Sequence, residues 1–200
     1  MKLGPTKAML NFLANRSKSF NLCIEIGAYE GNTSKAIVRH LSEKGKLICI
    51  DPLEDAYLTE DIDSEIKRDN KGRWKYFQGQ YHKFMRNTKK ARELGKIELI
   101  RKTSKEAFKE LSHLEGLVDL CFIDGDHRTE SVLADGIECF KLCKNGGYII
   151  FDDYNWEKGH PIYDCGKGID LFLEKYKGSY DLVRKTEGRT VQVIIKKNSN

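Results

Sequence analysis

Short apolar runs alternate along this chain with segments of helical period, and that alternation constrains the fold more than any other feature. The runs are Leu22–Ile26, Leu47–Ile50, Ile97–Ile100, Val118–Ile123 and Tyr148–Phe151. Rich in Ile, Leu, Val and Phe, they read as strands buried on both faces, which calls for a parallel sheet covered by helices on each side. The intervening segments supply those helices. Thr33–Glu43 carries Ala36, Ile37 and Leu41 on one face and stops at Gly45, a residue suited to the left-handed C′ position. Glu130–Leu142 sets Val132, Leu133, Ile137 and Phe140 at helical spacing, and Gly146-Gly147 then turns the chain into the next strand. The expected class is α/β, a doubly wound sheet.

The end of the chain changes character. A helix over Ile169–Tyr176 leads to Tyr180–Val183, then Glu187-Gly188 and the alternating run Thr190–Ile195. Two strands joined by a short glycine-containing loop read as an antiparallel hairpin. Together with the five earlier runs, this gives a mostly parallel, seven-stranded sheet that finishes antiparallel. With no repeats or linkers among its 200 residues, the chain reads as a single domain over 1–200. Residues 1–20 are expected to hold an amphipathic N-terminal helix (Met9, Leu10, Leu13) and not a signal peptide. The interval 52–96 is too long for a simple crossover. It reads as an inserted helical segment near the ligand edge, a candidate substrate lid with Trp74, Tyr76, Phe77, Tyr81 and Phe84.

A hydrophobic fraction of 40% suffices for such a core, and no run approaches the ~20 apolar residues of a membrane span. A soluble, cytoplasmic protein is expected. The six cysteines include no CxxC pair, so free thiols are expected in place of a zinc knuckle or redox motif. Cys23, Cys49 and Cys121 lie in strand-like runs as small core residues, and Cys139 and Cys143 fall four apart on a predicted helix. The net charge of +5 owes much to Lys83–Lys102, where eight basic residues face only Glu93 and Glu98. A solvated helix face explains that run, and a patch for an anionic partner such as nucleic acid is the alternative.

The first strand ends in Glu25-Ile26-Gly27-Ala28-Tyr29-Glu30-Gly31-Asn32-Thr33. Strand, glycine turn, helix is where an α/β fold binds a nucleotide-like ligand, at the carboxyl edge of the sheet. Gly27 and Gly31 are expected to let the backbone approach that ligand. The pattern is ExGxxxG, not the GxGxxG that wraps a pyrophosphate or the GxxxxGK[ST] of a P-loop, so the ligand need carry no phosphate. Asp51, 24 residues after Gly27 and at the end of the second strand, can accept both ribose hydroxyl protons.

The fourth strand ends in Asp124-Gly125-Asp126-His127 and the fifth in Asp152-Asp153-Tyr154. Asp-Gly makes turns and acidic residues end many strands. Adjacent strands, however, would aim three or four carboxylates at one edge, at a cost in like-charge repulsion that a hard divalent cation such as Mg²⁺ relieves.

These residues carry a resemblance. ExGxxxG, the acid after the second strand and the terminal hairpin resemble the Rossmann-like class I methyltransferases that use S-adenosylmethionine. Glu25–Thr33 is especially similar to the glycine loop of catechol O-methyltransferase. Asp124–Tyr154 is similar to the small O-methyltransferases of macrolide and cephalosporin biosynthesis. The resemblance implies that Glu25, Gly27, Ala28, Tyr29 and Gly31 lie against the methionine part, with Thr33 on its carboxylate. It implies Asp51 on the ribose and Ser104 on the adenine; Ser104 also reads as an N-cap for a helix from Lys105. Asp124, Asp152 and Asp153 match the family's metal ligands, although the catechol enzyme has asparagine in place of Asp153. Asp124 would further border the cofactor and the reaction centre. His127 stands where the catechol enzyme has its base lysine, and a neutral imidazole could take the acceptor's proton.

The implied activity is O-methylation of a small-molecule hydroxyl, sugar-like or catechol-like, by a protein that pairs as a homodimer. An (N/D)PP(Y/F) motif does not follow the fourth strand, which counts against base N-methylation but leaves RNA ribose methylation open. A nicotinamide oxidoreductase is disfavoured by the missing GxGxxG. A catalytically silent nucleotide-binding module on the same fold stands as the other alternative.

Overall fold

The structure, a computed structural model, describes residues 5–53, 80–188 and 190–199. Seven strands form one sheet: β1 (Phe20–Ile26), β2 (Leu41–Ile50), β3 (Ile97–Ile100), β4 (Val118–Ile123), β5 (Cys143–Phe151), β6 (Tyr180–Lys185) and β7 (Val193–Lys197). Their order is β3-β2-β1-β4-β5-β7-β6. The first five are parallel, and β7 runs antiparallel to both β5 and β6. The expected doubly wound sheet with its terminal hairpin is what the chain forms.

The strand residues alternate between two apolar layers. Ile24, Ile26, Cys121, Ile123, Ile149 and Phe151 face one side. There they meet α4 (Ser104–Glu110), α5 (Thr129–Leu142) and α6 (Cys165–Lys175), through Phe108, Phe140 and Phe172 among others. Cys23, Cys49, Leu120, Phe122 and Ile150 face the other, against α1 (Lys7–Ala14), α2 (Asn32–Val38) and α3 (Gln80–Glu93). Each fully buried Leu, Ile or Phe contributes about 1.5–3 kcal/mol. All six cysteines are buried and free. Among the described residues no helix is long and apolar enough to cross a membrane.

Several boundaries differ from the sequence expectation, each for a packing reason. Helix α2 ends at Val38, and β2 already begins at Leu41. Pairing jumps from Phe20↔Leu41 to Leu22↔Lys46, so residues 42–45 bulge from the ladder. Gly45 belongs to that bulge, and a Cβ there would lie 2.5 Å from the Phe20 carbonyl oxygen. It is therefore a close-approach residue and not a helix C′. A second bulge, between Val118↔Cys143 and Leu120↔Tyr148, absorbs Gly146-Gly147, and Cys143 is the first residue of β5, where its N–H caps the helix of Cys139 by donating to the Cys139 carbonyl.

Buried Asp119 holds the first bulge together. One of its oxygens accepts the Asn21 and Leu22 N–H groups at 2.6 and 2.8 Å, and the other meets the Lys144 ammonium.

In the N-terminal helix, Met9, Phe12 and Leu13 are buried while Leu10 is exposed. Helix α6 starts at Cys165, four residues earlier than its apolar spacing suggests. Gly166 and Gly168 are there because Cβ atoms would meet the carbonyl oxygens of Tyr154 and Thr129 at 2.4 and 2.6 Å. Of the interval 52–96, residues 54–79 lie outside the described set, with Trp74, Tyr76, Phe77 and the lid expectation. Its last part is α3, seated on α2 with Phe84 and Thr88 buried.

Candidate active site

The strand order reverses between β1 and β4, whose outer neighbours are β2 and β5. In an open α/β sheet ligands bind outside the carboxyl ends of the strands at such a switch point, and the glycine loop, Asp51 and the acids ending β4 and β5 lie at that edge.

The glycine loop leaves β1 there. Gly27 has φ +82°, and a Cβ would sit 1.8 Å from the Asp124 carbonyl oxygen. A Cβ on Gly31, at φ +77°, would sit 2.7 Å from Thr88 Cγ2 and 3.1 Å from the Phe84 ring. Both glycines are thus demanded by contacts within the protein, between β1 and β4 and between the loop and α3. The loop is tied to α3 again by Lys83, whose Nζ lies 2.7 Å from Glu30, and by Asn87, which donates to the Glu30 carbonyl.

Asp51 stands against this loop. Its carboxylate accepts the backbone N–H of Tyr29 at 2.7 Å and of Leu53 at 2.6 Å. Burial pushes its pKa up, and these N–H donors pull it back. Each oxygen has a second lone pair, so the group can still accept from a ligand hydroxyl.

Glu25 is placed differently from the cofactor contact the resemblance implies. It is wholly enclosed beneath the loop, where Ser34 Oγ donates to Oε2 at 2.5 Å and the Cys49 thiol lies 3.3 Å away. Oε1 has no partner among the described residues. Burial drives the Glu25 pKa to about 8, so it is a neutral acid supporting the loop from below. Ala28 is likewise buried, leaving its backbone for any ligand, whereas Tyr29 and Thr33 are half-buried at the crevice.

Ser104 is the first residue of α4, not its cap. Thr103 is the N-cap, in a capping box with Glu106. The Ser104 side chain lies beside Asp135 of α5, a carboxyl that burial raises to about 7 and Ser104 pulls back.

The ends of β4 and β5 meet where Asp152 N–H donates to the Ile123 carbonyl at 2.9 Å. One oxygen of Asp124, Nε2 of His127 and one oxygen of Asp153 converge, all within 4.8 Å of one another. Nε2 is 3.4 Å from Asp124 Oδ1 and 3.7 Å from Asp153 Oδ2. This differs from the expected Asp124–Asp152–Asp153 set. Asp153 has φ +52°, a left-handed conformation that points consecutive side chains apart, and His127 joins in place of Asp152.

Asp126 is tied to the start of α5 by Arg128 Nε at 2.6 Å and Ser131 Oγ at 2.8 Å. Burial, then Asp124 and Asp153, push Asp152 to about 8. Burial and Asp124 raise Asp153 as well, with His127 opposing. Burial lowers His127, but the Asp124 hydrogen bond and the surrounding carboxylates outweigh it and hold the imidazole above its ordinary pKa. Such mutual perturbation is what a bound cation would relieve, and the oxygen and imidazole donors fit a divalent metal.

Two neighbours went unread in the sequence. The Trp156 ring packs edge-on to His127 at 5.0 Å. Gln192, fully buried beside Asp152, accepts the Thr6 hydroxyl at 2.5 Å and leaves its amide nitrogen without a hydrogen-bond partner among the described residues. A tryptophan in an exposed loop and a glutamine opening a strand carry no motif that would have marked them. His160 is occupied locally, its Nδ1 accepting from the Ile162 and Tyr163 N–H groups.

A family model described as a methyltransferase domain matches residues 24–154, from the middle of β1 to just past β5. The chain belongs to this methyltransferase family. One curated relative, uncharacterized protein R132 of Acanthamoeba polyphaga mimivirus, is 31% identical over 157 residues. The match takes in 76% of this chain and spans 61% of the relative's length.

Among solved structures, an O-methyltransferase from Bacillus cereus in complex with SAH shares 16% identity and a TM-score of 0.68, covering 96% of this chain and 82% of that one. TomG, the O-methyltransferase of tomaymycin synthesis from Streptomyces achromogenes, in complex with SAM, gives 16% and 0.67, covering 98% and 82%. At these identities the likeness establishes the methyltransferase fold, in agreement with the sheet order.

Proposed function

We propose that this chain binds S-adenosylmethionine in the switch-point crevice and transfers its methyl group to a hydroxyl of a small molecule, assisted by a divalent cation. The observation that carries this reading is convergence. A glycine loop with an acid set for a ribose, and a second acidic group at the ends of β4 and β5, occupy one edge of the sheet. Family membership and the SAM- and SAH-bound neighbours support the cofactor.

Asp51 would hold the ribose hydroxyls while the backbone of Gly27–Gly31 borders the methionine part. The carboxylates of Asp124 and Asp153, with Asp152 beside them, would position the acceptor hydroxyl through the cation, which lowers the pKa of a hydroxyl bound to it. In the transfer, an oxygen lone pair forms the new bond to the methyl carbon as the carbon–sulfur bond breaks. S-adenosylhomocysteine leaves, and the hydroxyl proton passes to a base. The protein's share is alignment of oxygen, carbon and sulfur, the effect that orientation supplies in bimolecular reactions.

Incubation with S-adenosylmethionine and separate sugar, catechol and RNA acceptors, followed by mass spectrometry, tests this. A methyl ether of a small-molecule acceptor, whose formation is lost on adding EDTA, is expected. Methylation confined to RNA, or indifferent to EDTA, would contradict the small-molecule and cation parts respectively.

A further inference from the structure

We infer that the exposed edge strand β6 is a self-complementary docking surface, where a second copy of this chain pairs antiparallel and extends the sheet across a two-fold axis. The inference stands apart from the chemistry of the cofactor crevice.

β6 ends the strand order. It is bonded to β7 on one side, and among the described residues no strand pairs with its other side. Such an edge presents unpaired N–H and C=O groups to another chain. This edge also carries apolar side chains, with Leu182 57% exposed and Val183 40%. Leu182 stands opposite Ile195, on the face that α6 covers, so the helical layer stops short of the last strand.

Charge identifies the occupant. β6 reads Tyr180-Asp181-Leu182-Val183-Arg184-Lys185. Two copies paired about an axis between Leu182 and Val183 set Asp181 of each against Arg184 of the other, with Leu182 against Val183. In a strand of strict alternation this register fails, because residues three apart point to opposite faces while opposed residues must share one.

The bulge in β6 removes that obstacle. Leu182 pairs with Ile195 and Arg184 with the adjacent Ile194, so Val183 is an extra residue in the strand. Asp181 and Arg184 consequently stand opposite Lys196 and Ile194, two apart on β7 and on one face of the sheet. Opposite charges are thereby brought to the same side, and neither has an ion-pair partner among the described residues. Bulges and charges on an edge strand commonly prevent pairing. Here the charges attract when the strand meets itself, and they do so twice across the axis.

β6 runs parallel to β5, since both are antiparallel to β7. In the pair, the two cofactor crevices therefore open at opposite ends of one continuous sheet. A strand of six residues, about 20 Å long, makes a small interface, so the dimer is expected to form and dissociate with concentration.

Sedimentation equilibrium of the full chain over roughly 1–500 µM, the range of weak, transient contacts, tests this. Wild type should pass from monomer to dimer, and the amides of Leu182–Arg184 should gain hydrogen-exchange protection over the same range. Asp181→Arg and Arg184→Asp should each weaken the dimer about tenfold or more by opposing like charges. The double variant Asp181→Arg with Arg184→Asp restores the complementarity and should return to within about threefold of wild type. Leu182→Lys should leave a monomer. Melting temperatures report whether the variants are folded, and the exchange measurement on wild type needs no variant.

A chain that stays monomeric throughout would overturn the inference. So would a dimer indifferent to Asp181→Arg or Leu182→Lys, a double variant no better than either single one, or protection gained elsewhere and not in β6.

Discussion

Replacing Glu25 by glutamine removes a titrating group from beneath the glycine loop and keeps its shape. The unfolded chain releases this proton near its ordinary 4.5 and the folded chain near 8. Between those values the folded state holds a proton that the unfolded state lacks, so stability falls as pH rises through the interval. The rise spans between three and four pH units, and at about 1.4 kcal/mol per unit the ceiling is about 5 kcal/mol. Entry of water and relaxation around the ionised acid reduce this, and we expect about 2 kcal/mol to be realised from about pH 5 to about pH 8.

Glu25→Gln should therefore match the wild type within about 1 kcal/mol at the acid end and exceed it by about 2 kcal/mol at the alkaline end. Urea unfolding in EDTA, followed by fluorescence across that range, measures the difference. Parallel profiles for the two proteins would refute the buried, neutral Glu25 and return it to the crevice as an ionised group.

Two further outcomes follow from packing. Asp119→Ala removes the partner of Lys144 and of two strand N–H groups. It should cost about 2–3 kcal/mol in denaturant unfolding, mostly from the two N–H groups left without an acceptor because the Lys144 head reaches solvent, and a loss under about 1 kcal/mol would show that the bulge does not depend on it. Gly27→Ala should leave little folded, cofactor-binding protein, because its Cβ meets the Asp124 carbonyl at φ +82°. Gly188→Ala, at φ +112° with nothing within 4 Å, should cost only the backbone strain of about 1–3 kcal/mol. Equal losses in the two variants would contradict the close β1–β4 contact.

How much of this was legible follows from what each signal measures. The apolar runs gave the strand cores because burial on both faces leaves no other pattern, and Ile24, Ile123 and Phe151 sit where that reasoning puts them. The strand ends were not legible. Residues 42–45 and 144–147 look like turns, and only the register across the sheet shows that they are bulges within ladders. The glycines were legible as loop residues, but a sequence does not reveal that Asp124 from a distant strand closes over Gly27.

The acidic cluster was legible as a cluster. Its membership was not, because the left-handed turn at Asp153 decides which of two adjacent carboxyls faces His127. Gln192 and Thr6, 186 residues apart, could be joined only by the fold.

The central claim is a cofactor site built on the glycine loop and Asp51, and calorimetric titration of S-adenosylhomocysteine into wild type and Asp51→Ala tests it most directly. The account predicts a saturable heat in the wild type and a loss of about tenfold or more in affinity in the variant, as removal of a charged hydrogen-bond acceptor entails. A folded wild type that gives no heat, or an Asp51→Ala variant that binds as tightly as wild type, would contradict it.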